Sequence, residues 1–479
     1  MIHLGLWLPL VAGILLLIWP VLGRTFAVVV AAITFLIAVL LFAGYASGGV
    51  VPGQSLAYAF QTPLLPQVGV YYALGLDGAG LLLWIAVSLT VLLGVWIADV
   101  PARFLGLALT METGLLGIFA ANDLMLFYAF FEATLIPSLL MLWLYGGADR
   151  LRAIYTFAIF TLVGSLPMLA SIFAVRYLGG SSSFLYGDLL QHPLSGAAAG
   201  WAFLGFLIAF AVKTPMFPMH AWLPPFHQQN HPSGLADAMG TLYKVGIFTF
   251  FKWAIPLLPA GFQQWQGLVL FLAALGAIYA AWLAFAARDW KTLLAYAGVS
   301  HMSIGLLGLF SGTSQGTVGA LFLLGASMIY TGAMFLFVGR VYLRTGSLEF
   351  TPVRGLAKHT PALYVLGMFL LMATIGLPGL SGFPGEFLAL LGAYQTSPWL
   401  TFIAFLSVIA AAAFALTAYQ KVFQETPQSQ AVPDMSPREW VFAGVTVGVL
   451  VVMGMYPKLF TLYLEPLGKA LASLLGGGA

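Results

Sequence analysis

Lys213 constrains this chain more than any other residue. It follows about a dozen apolar residues of its own span, which at roughly 1.5 Å per helical residue puts its ammonium near the middle of a bilayer. A cation at that depth is costly and marks function by default. The sequence from 213 to 233 reads K-T-P-M-F-P-M-H-A-W-L-P-P-F-H-Q-Q-N-H-P-S. Pro215 and Pro218 remove backbone donors and break the helix, leaving Lys213 at the C-terminal, negative end of a half-helix, where a cation is favoured. The stretch from Leu204 to Trp253 thus reads as an apolar span, a break, and a second apolar span that carries Lys244.

The rest of the composition agrees with a lipid environment. Of 479 residues, 61% are hydrophobic and 7% charged, whereas about a quarter are charged in soluble domains. The fold class is therefore an all-α polytopic membrane protein. A net charge of +3, scattered along the chain, implies no nucleic-acid partner. The absence of cysteine excludes a disulfide framework, cysteine-ligated iron–sulfur clusters and thiol chemistry. The N-terminus lacks a basic n-region and reads as a retained helix rather than a cleaved signal.

Apolar runs long enough to cross about 30 Å fall near 2–21, 26–45, 76–97, 103–121, 123–145, 153–177 and 201–217. They continue near 233–257, 264–286, 292–311, 316–343, 361–393, 399–422 and 438–456, followed by an amphipathic tail around 459–475. The expectation is about fourteen transmembrane helices, with helices 7 and 12 broken. Segments 48–66 and 179–196, rich in Gly, Ser and Pro, are expected to be the longest loops. The run G-L-D-G-A-G, with no strand expected before it, is no dinucleotide fingerprint.

Orientation follows from the cations. Arg24, Arg103, Arg150, Arg152, Arg288, Lys291, Arg340, Arg344, Arg354, Lys358, Lys421 and Arg438 lie in or beside odd-numbered loops. Arg176, Lys252, Lys458 and Lys469 flank the other side, Lys252 close enough to its helix end to snorkel. Odd loops are then cytoplasmic and both termini face outward.

Polar positions recur along the chain. Glu386 follows Lys213 by 173 residues, and His301 follows Glu132 by 169. A shift of five helices predicts two five-helix repeats, helices 4–8 and 9–13, the second inverted because five is odd. The implied division is 1–100, 101–258, 259–425 and 426–479. Broken helices at matching places in inverted halves point to an ion path.

Several ionisable groups could use that path. Glu132, ten residues into its span, would stay ionised only near a cation, and Lys213 is its natural partner. A buried pair whose separation can change sets how readily the lysine releases its proton; a fixed structural pair is the alternative. Lys244 lies near the midplane, with Asp237 two turns earlier as the only acid in its helix. His220 and His227, in the linker between the lysines, suit proton relay through water. A metal reading of His220, His227 and His231 stays open, but no Cys lies nearby and Pro224-Pro225 spoils a helical face shared by the first two. Glu386, just after Pro384, is placed at the N-terminus of a new half-helix, whose dipole favours an anion. His301 is a relay or a hydrogen-bonded core histidine. Glu112 lies beside Thr110 and Thr113, which could satisfy it.

Five stretches carry a family resemblance: Y-A-L-G-L-D-G at 72–78, L-F-Y-A-F-F-E-A-T-L-I-P at 126–137, A-V-K-T-P-M-F-P-M-H-A-W-L-P at 211–224, D-W-K-T-L-L-A-Y-A-G-V-S-H-M at 289–302, and G-L-P-G-L-S-G-F-P-G-E-F at 376–387. Together they resemble the M-type antiporter-like membrane subunits of bacterial respiratory complex I, NADH:quinone oxidoreductase. The resemblance implies proton translocation coupled to quinone reduction elsewhere, with Glu132 and Lys213 as the coupled pair, Lys244 as carrier and Glu386 as the exit-side group. It implies L- and N-type subunits as partners in a bacterial inner membrane, with flavin, iron–sulfur clusters and quinone held by partner subunits and no cofactor here. Glutamate at 386 favours the M type. One departure stands out: Pro225-Phe226-His227 replaces the usual D-A-H, which keeps the histidine and loses its acidic neighbour. A subunit of a multisubunit cation/proton antiporter is the rival reading, and an inert spacer is another.

Overall fold

The computed structural model describes residues 1–47, 56–242, 244–351, 353–425 and 431–476. Helices α1 (Ile2–Ile18) and α2 (Gly23–Ser47) lead into a hairpin of β1 (Ala57–Leu65) and β2 (Val70–Leu76). The bundle continues through α3 (Gly78–Ile97), α4 (Ala102–Ala120), α5 (Leu124–Ala133), α6 (Leu135–Tyr145), α7 (Arg150–Gly179), α8 (Tyr186–Leu190) and α9 (Gly196–Lys213). Short pieces follow: α10 (Leu223–Gln229), α11 (Leu235–Thr241), α12 (Gly246–Thr249), a π-helical turn (Phe250–Ala254) and α13 (Ile255–Leu257). The second half holds α14 (Pro259–Phe285), α15 (Trp290–Phe310), α16 (Ser314–Thr345), α17 (Pro361–Thr374), α18 (Gly382–Thr396), α19 (Pro398–Phe423), α20 (Pro437–Met455) and α21 (Lys458–Leu474).

Among the described residues, 11 helical runs are long and apolar enough to span a membrane, with α5 and α6 forming one of them. A count of fourteen adds α1, the interrupted run from α11 to α13, and the α17–α18 pair. Their placement follows the apolar runs of the sequence.

The core of the bundle is α16, which is buried without interruption from Gly316 to Gly339 and packs on α3, α11, α15, α18 and α21. Close approach there depends on small residues. A Cβ added at Gly319 would lie 2.2 Å from the Ala389 backbone nitrogen, so α16 and α18 touch backbone to backbone. Helices α2, α7, α19 and α20 leave most of their spans uncovered, as lipid-facing helices do.

Two expectations are corrected. Residues 57–65 of the supposed 48–66 loop form β1, paired antiparallel with β2, so a strand does precede G-L-D-G-A-G; residues 48–55 lie outside the described part. The cause is local: A-Y-A-F and V-Y-Y-A place aromatic and β-branched residues in short alternation, which suits a hairpin. The dinucleotide reading still fails, because among the described residues no parallel strand follows α3. Asp77 instead caps α3, accepting from the Gly80 amide at 2.7 Å. The second correction concerns 233–257, expected as one span. Helix α11 ends at Thr241, α12 begins at Gly246, and the chain again changes pitch in the π-helical turn.

At one end of the bundle, arginines tie the helices together. Asp99, between α3 and α4, accepts from Arg24 at 2.9 Å and Arg340 at 2.7 Å. Glu439 accepts from Arg340 at 2.7 Å and from Arg344 at 2.8 Å. These links join α2, α16 and α20 around the α3–α4 connection.

Candidate functional site

Helix α9 ends at Lys213, as the two prolines demand, and the chain turns irregularly until α10. The lysine is buried, and its ammonium sits 4.9 Å from the centre of the Phe131 ring on α5. The next residue on α5 is Glu132, whose charge reaches Lys213. Its Oε1 is buried with no hydrogen-bond partner. Helix α5 ends one residue later, and α6 begins after Thr134. Glu132 therefore stands beside the interruption between α5 and α6, facing the broken end that carries Lys213.

The second lysine lies against the first break. A Cβ on Gly246, the first residue of α12, would collide with Thr214 Oγ1, so the α9 terminus and α12 are in direct contact. Lys244 sits two residues before α12, in the turn that breaks the helix. It is buried, and no ion pair or hydrogen bond to its ammonium is found among the described residues. Gly298 of α15 makes room for it: a Cβ there would lie 2.9 Å from Lys244 Nζ.

One turn further along α15 is His301, on the same face as Gly298. Its Nδ1 lies 2.6 Å from Oε1 of Glu386 on α18. Among the described residues, Nε2 of His301 is buried without a hydrogen-bond partner, as is the hydroxyl of Tyr330, whose ring meets the imidazole edge-on at 6.3 Å. Glu386 follows the second break, where Gly376 and Gly379 adopt positive φ between α17 and α18. It is the fifth residue of α18, one turn inside the helix rather than at its first amides. The carboxyl is therefore held mainly by His301, the dipole acting within the first turn only.

These contacts set Glu132, Lys213, Lys244, His301 and Glu386 in a row across the bundle, with α15 bridging the two breaks. The row offers acids and bases, of which Glu132, Lys213 and His301 lie in helices long and apolar enough to span a membrane. Among the described residues no group of three or more His, Asp or Glu is placed to hold a metal ion.

The other expected residues fall elsewhere. His227 Nδ1 bonds Asp237 Oδ1 at 3.0 Å, so the acid missing from position 225 is replaced by one ten residues beyond the histidine. The same carboxylate accepts from Asn230 at 3.1 Å and pairs with Lys291 at 2.9 Å. Lys291 also donates to the Asn230 carbonyl at 2.7 Å. Lys291 looked like a loop cation in the sequence, yet it is buried at the start of α15. The charge of Lys244 reaches His227. His220 is not joined to the row by any hydrogen bond among the described residues; its ring lies against Phe217 at 5.8 Å and Tyr279 at 5.6 Å.

Two further assignments are corrected. Glu112 is fully buried and faces Ser88 of α3, but neither oxygen finds a hydrogen-bond partner among the described residues. Thr110 spends its hydroxyl on the Gly106 carbonyl, since a threonine in mid-helix bonds its own turn more readily than a side chain. Lys252 does not snorkel: it is 5% exposed and pairs with Asp77 at 3.4 Å.

Comparisons with known proteins agree with this geometry. Residues 121–411 match the family described as NADH:quinone oxidoreductase/Mrp antiporter, TM. The chain is 59% identical over 479 residues to NADH-quinone oxidoreductase subunit 13 of Thermus thermophilus, covering 100% of each protein. A solved chain from respiratory complex I of Thermus thermophilus with bound NADH superposes at a TM-score of 0.95 with 58% identity, covering 100% of both chains. A chain of the Mrp complex from a Dietzia species superposes at 0.83 with 19% identity, covering 99% of this chain and 97% of that one. That last likeness is one of fold.

Proposed function

We propose, from the premise that this chain belongs to the NADH:quinone oxidoreductase/Mrp antiporter membrane family, that it is the M-type subunit of a bacterial respiratory complex I and carries protons across the membrane. Its partners are the other membrane subunits of that complex, the L- and N-type antiporter-like chains among them. Electron transfer from NADH through flavin and iron–sulfur clusters to quinone takes place in partner subunits, and this chain contributes no redox group. The near-complete likeness to the Thermus protein favours this over a subunit of a multisubunit cation/proton antiporter.

The observation that carries the reading is the row of ionisable groups linking the two helix breaks. A change of charge at the quinone site moves Glu132 relative to Lys213 at the interruption after α5. Lys213 then gives its proton to Lys244, which is held by no ion pair and so exchanges protons at little cost in broken contacts. From Lys244 the proton passes along α15 by His301 to Glu386 and outward. His227, fixed by Asp237, supplies Lys244 from the cytoplasmic side. Linkage makes the coupling reciprocal, so a proton gradient pushing back opposes quinone reduction.

The arrangement goes with about fourteen membrane helices in two inverted repeats, helices 4–8 and 9–13, within the divisions 1–100, 101–258, 259–425 and 426–479. Arginine-rich connections face the cytoplasm and both termini face the outer side of the bacterial cytoplasmic membrane. In the assembled complex, Lys213→Ala or Glu132→Ala is expected to suppress proton pumping and quinone reduction together. Unchanged proton stoichiometry in both variants refutes the assignment.

A further inference from the structure

Below Lys244 on the same interrupted helix lies a second cation that the row does not use. Lys252 is eight residues on, roughly 12 Å along an axis that rises about 1.5 Å per residue. It occupies the middle of the π-helical turn Phe250–Ala254, a local widening that is frequent at functional sites. The hairpin delivers its counter-charge: β2 ends one residue before Asp77, whose Oδ1 caps α3 while Oδ2 lies 3.4 Å from Lys252 Nζ. Tyr186 of α8 closes the other side, its ring centre 4.9 Å from the ammonium. The pair is therefore assembled from three distant parts of the chain and sealed by an aromatic face.

A cavity of about 440 Å³ reaches this pair. Asp77, Tyr186 and Lys252 form its polar wall; Leu467 and Leu471 of α21 and Pro256 form much of the rest. It is partly open, on the face that carries α8 and the C-terminal helix. That face is the outer one in the orientation proposed above. A charged pair at the floor of a vestibule, between a proton-carrying lysine and outside water, is placed to control what crosses that floor.

We propose that Asp77 and Lys252 form an outer gate, an ion pair that plugs the short route from Lys244 to external water so that protons must leave through Glu386. Both are positioning residues, and the proposal rests on the translocation reading. While the pair is closed, it plugs the route and its charges cancel at Lys244. Removing one partner leaves a lone charge roughly 12 Å from Lys244, which at an effective dielectric constant near 20 changes proton occupancy there by about tenfold. The route then leaks.

The test uses the assembled complex in membrane vesicles. In Lys252→Gln and in Asp77→Asn, protons pumped per electron should fall by about half or more and passive proton permeability should rise, a consequence of that roughly tenfold imbalance. Quinone reduction continues, and Lys252→Arg restores the yield. An unchanged yield overturns the gate; so does loss of turnover without a leak, which makes Lys252 a carrier instead. Lys244→Gln in the same vesicles separates the two claims, because intact pumping in that variant defeats the translocation reading itself. Since the chain has no cysteine, Leu471→Cys on the cavity wall gives a reading independent of assembly defects at the pair. A membrane-impermeant thiosulfonate added on the side of α21 should modify it, and a thiol that stays unreactive shows the cavity dry and overturns the proposal.

Discussion

The two breaks in this bundle hold their charges in opposite ways. At the first, a run of short helices from α10 to α13 carries buried ion pairs toward both of its ends, Asp237–Lys291 and Asp77–Lys252, and leaves Lys244 between them with none among the described residues. At the second, a single glycine-rich turn separates α17 from α18, and its one acid is latched to His301 at 2.6 Å. On the proposed translocation reading, a proton carrier needs a rigid frame and a side chain that the frame does not hold, whereas an exit group needs a partner that can let go. Charges paired at the bundle end look different again: half-exposed Asp99, buried Glu439 and three arginines form a network there.

The contrast can be broken from its largest effect downward. Asp237→Ala strands Lys291 and unties His227 and Asn230, which should cost about 3–5 kcal/mol and show as a large loss of assembled complex or a fall in Tm. Near-parental stability would mean that the first break is not framed by that pair. Lys244→Met removes no ion pair, so the complex should assemble normally while NADH-driven proton pumping drops at least tenfold, equivalent to about 1.4 kcal/mol or more. Poor assembly with normal pumping per complex would invert the comparison. His301→Ala opens the latch at the second break; a water can take the place of the imidazole, so the expected loss of pumping is smaller, about three- to tenfold. His301→Gln, which keeps a hydrogen bond to Glu386, should recover part of it.

The smallest effect comes from the end network and sharpens the contrast from outside. Burial pushes the Asp99 carboxyl up, but the guanidiniums of Arg340 and Arg24 outweigh it and hold it below its ordinary value of 3.8. A folded value below the unfolded one means that its stabilisation is complete above the ordinary carboxylate range and is lost as pH falls through the depressed value. Asp99 is half exposed, and solvent screening keeps the contribution small. Thermal stability of Asp99→Asn should therefore run slightly below and parallel to the parent above about pH 5 and converge with it below about pH 4.

Much of the row is legible in the amino-acid order because each member breaks a local rule: Lys213 before P-M-F-P, Glu132 deep in an apolar run, Glu386 after G-L-P-G-L-S-G-F-P-G. What stays hidden depends on distant parts of the chain. Nothing near Lys252 announces Asp77, 175 residues away, and Pro256 makes the lysine look like a helix end. Lys291 reads as a loop cation because D-W-K opens a helix, yet its partner is set by how α11 packs on the linker. The break at Lys244 has no proline to mark it, and only Gly246 hints that α9 must come close. His301 looked equivocal until α18 supplied its acid, and Glu112 remains buried without a role in the row.

The account stands or falls on whether water joins these side chains. A density map of the assembled complex, sharp enough to show ordered waters, should reveal a hydrogen-bonded file running from Lys213 through Lys244 and His301 to Glu386. Packed hydrocarbon separating Lys244 from His301, with no water between them in any state of the turnover cycle, would contradict it.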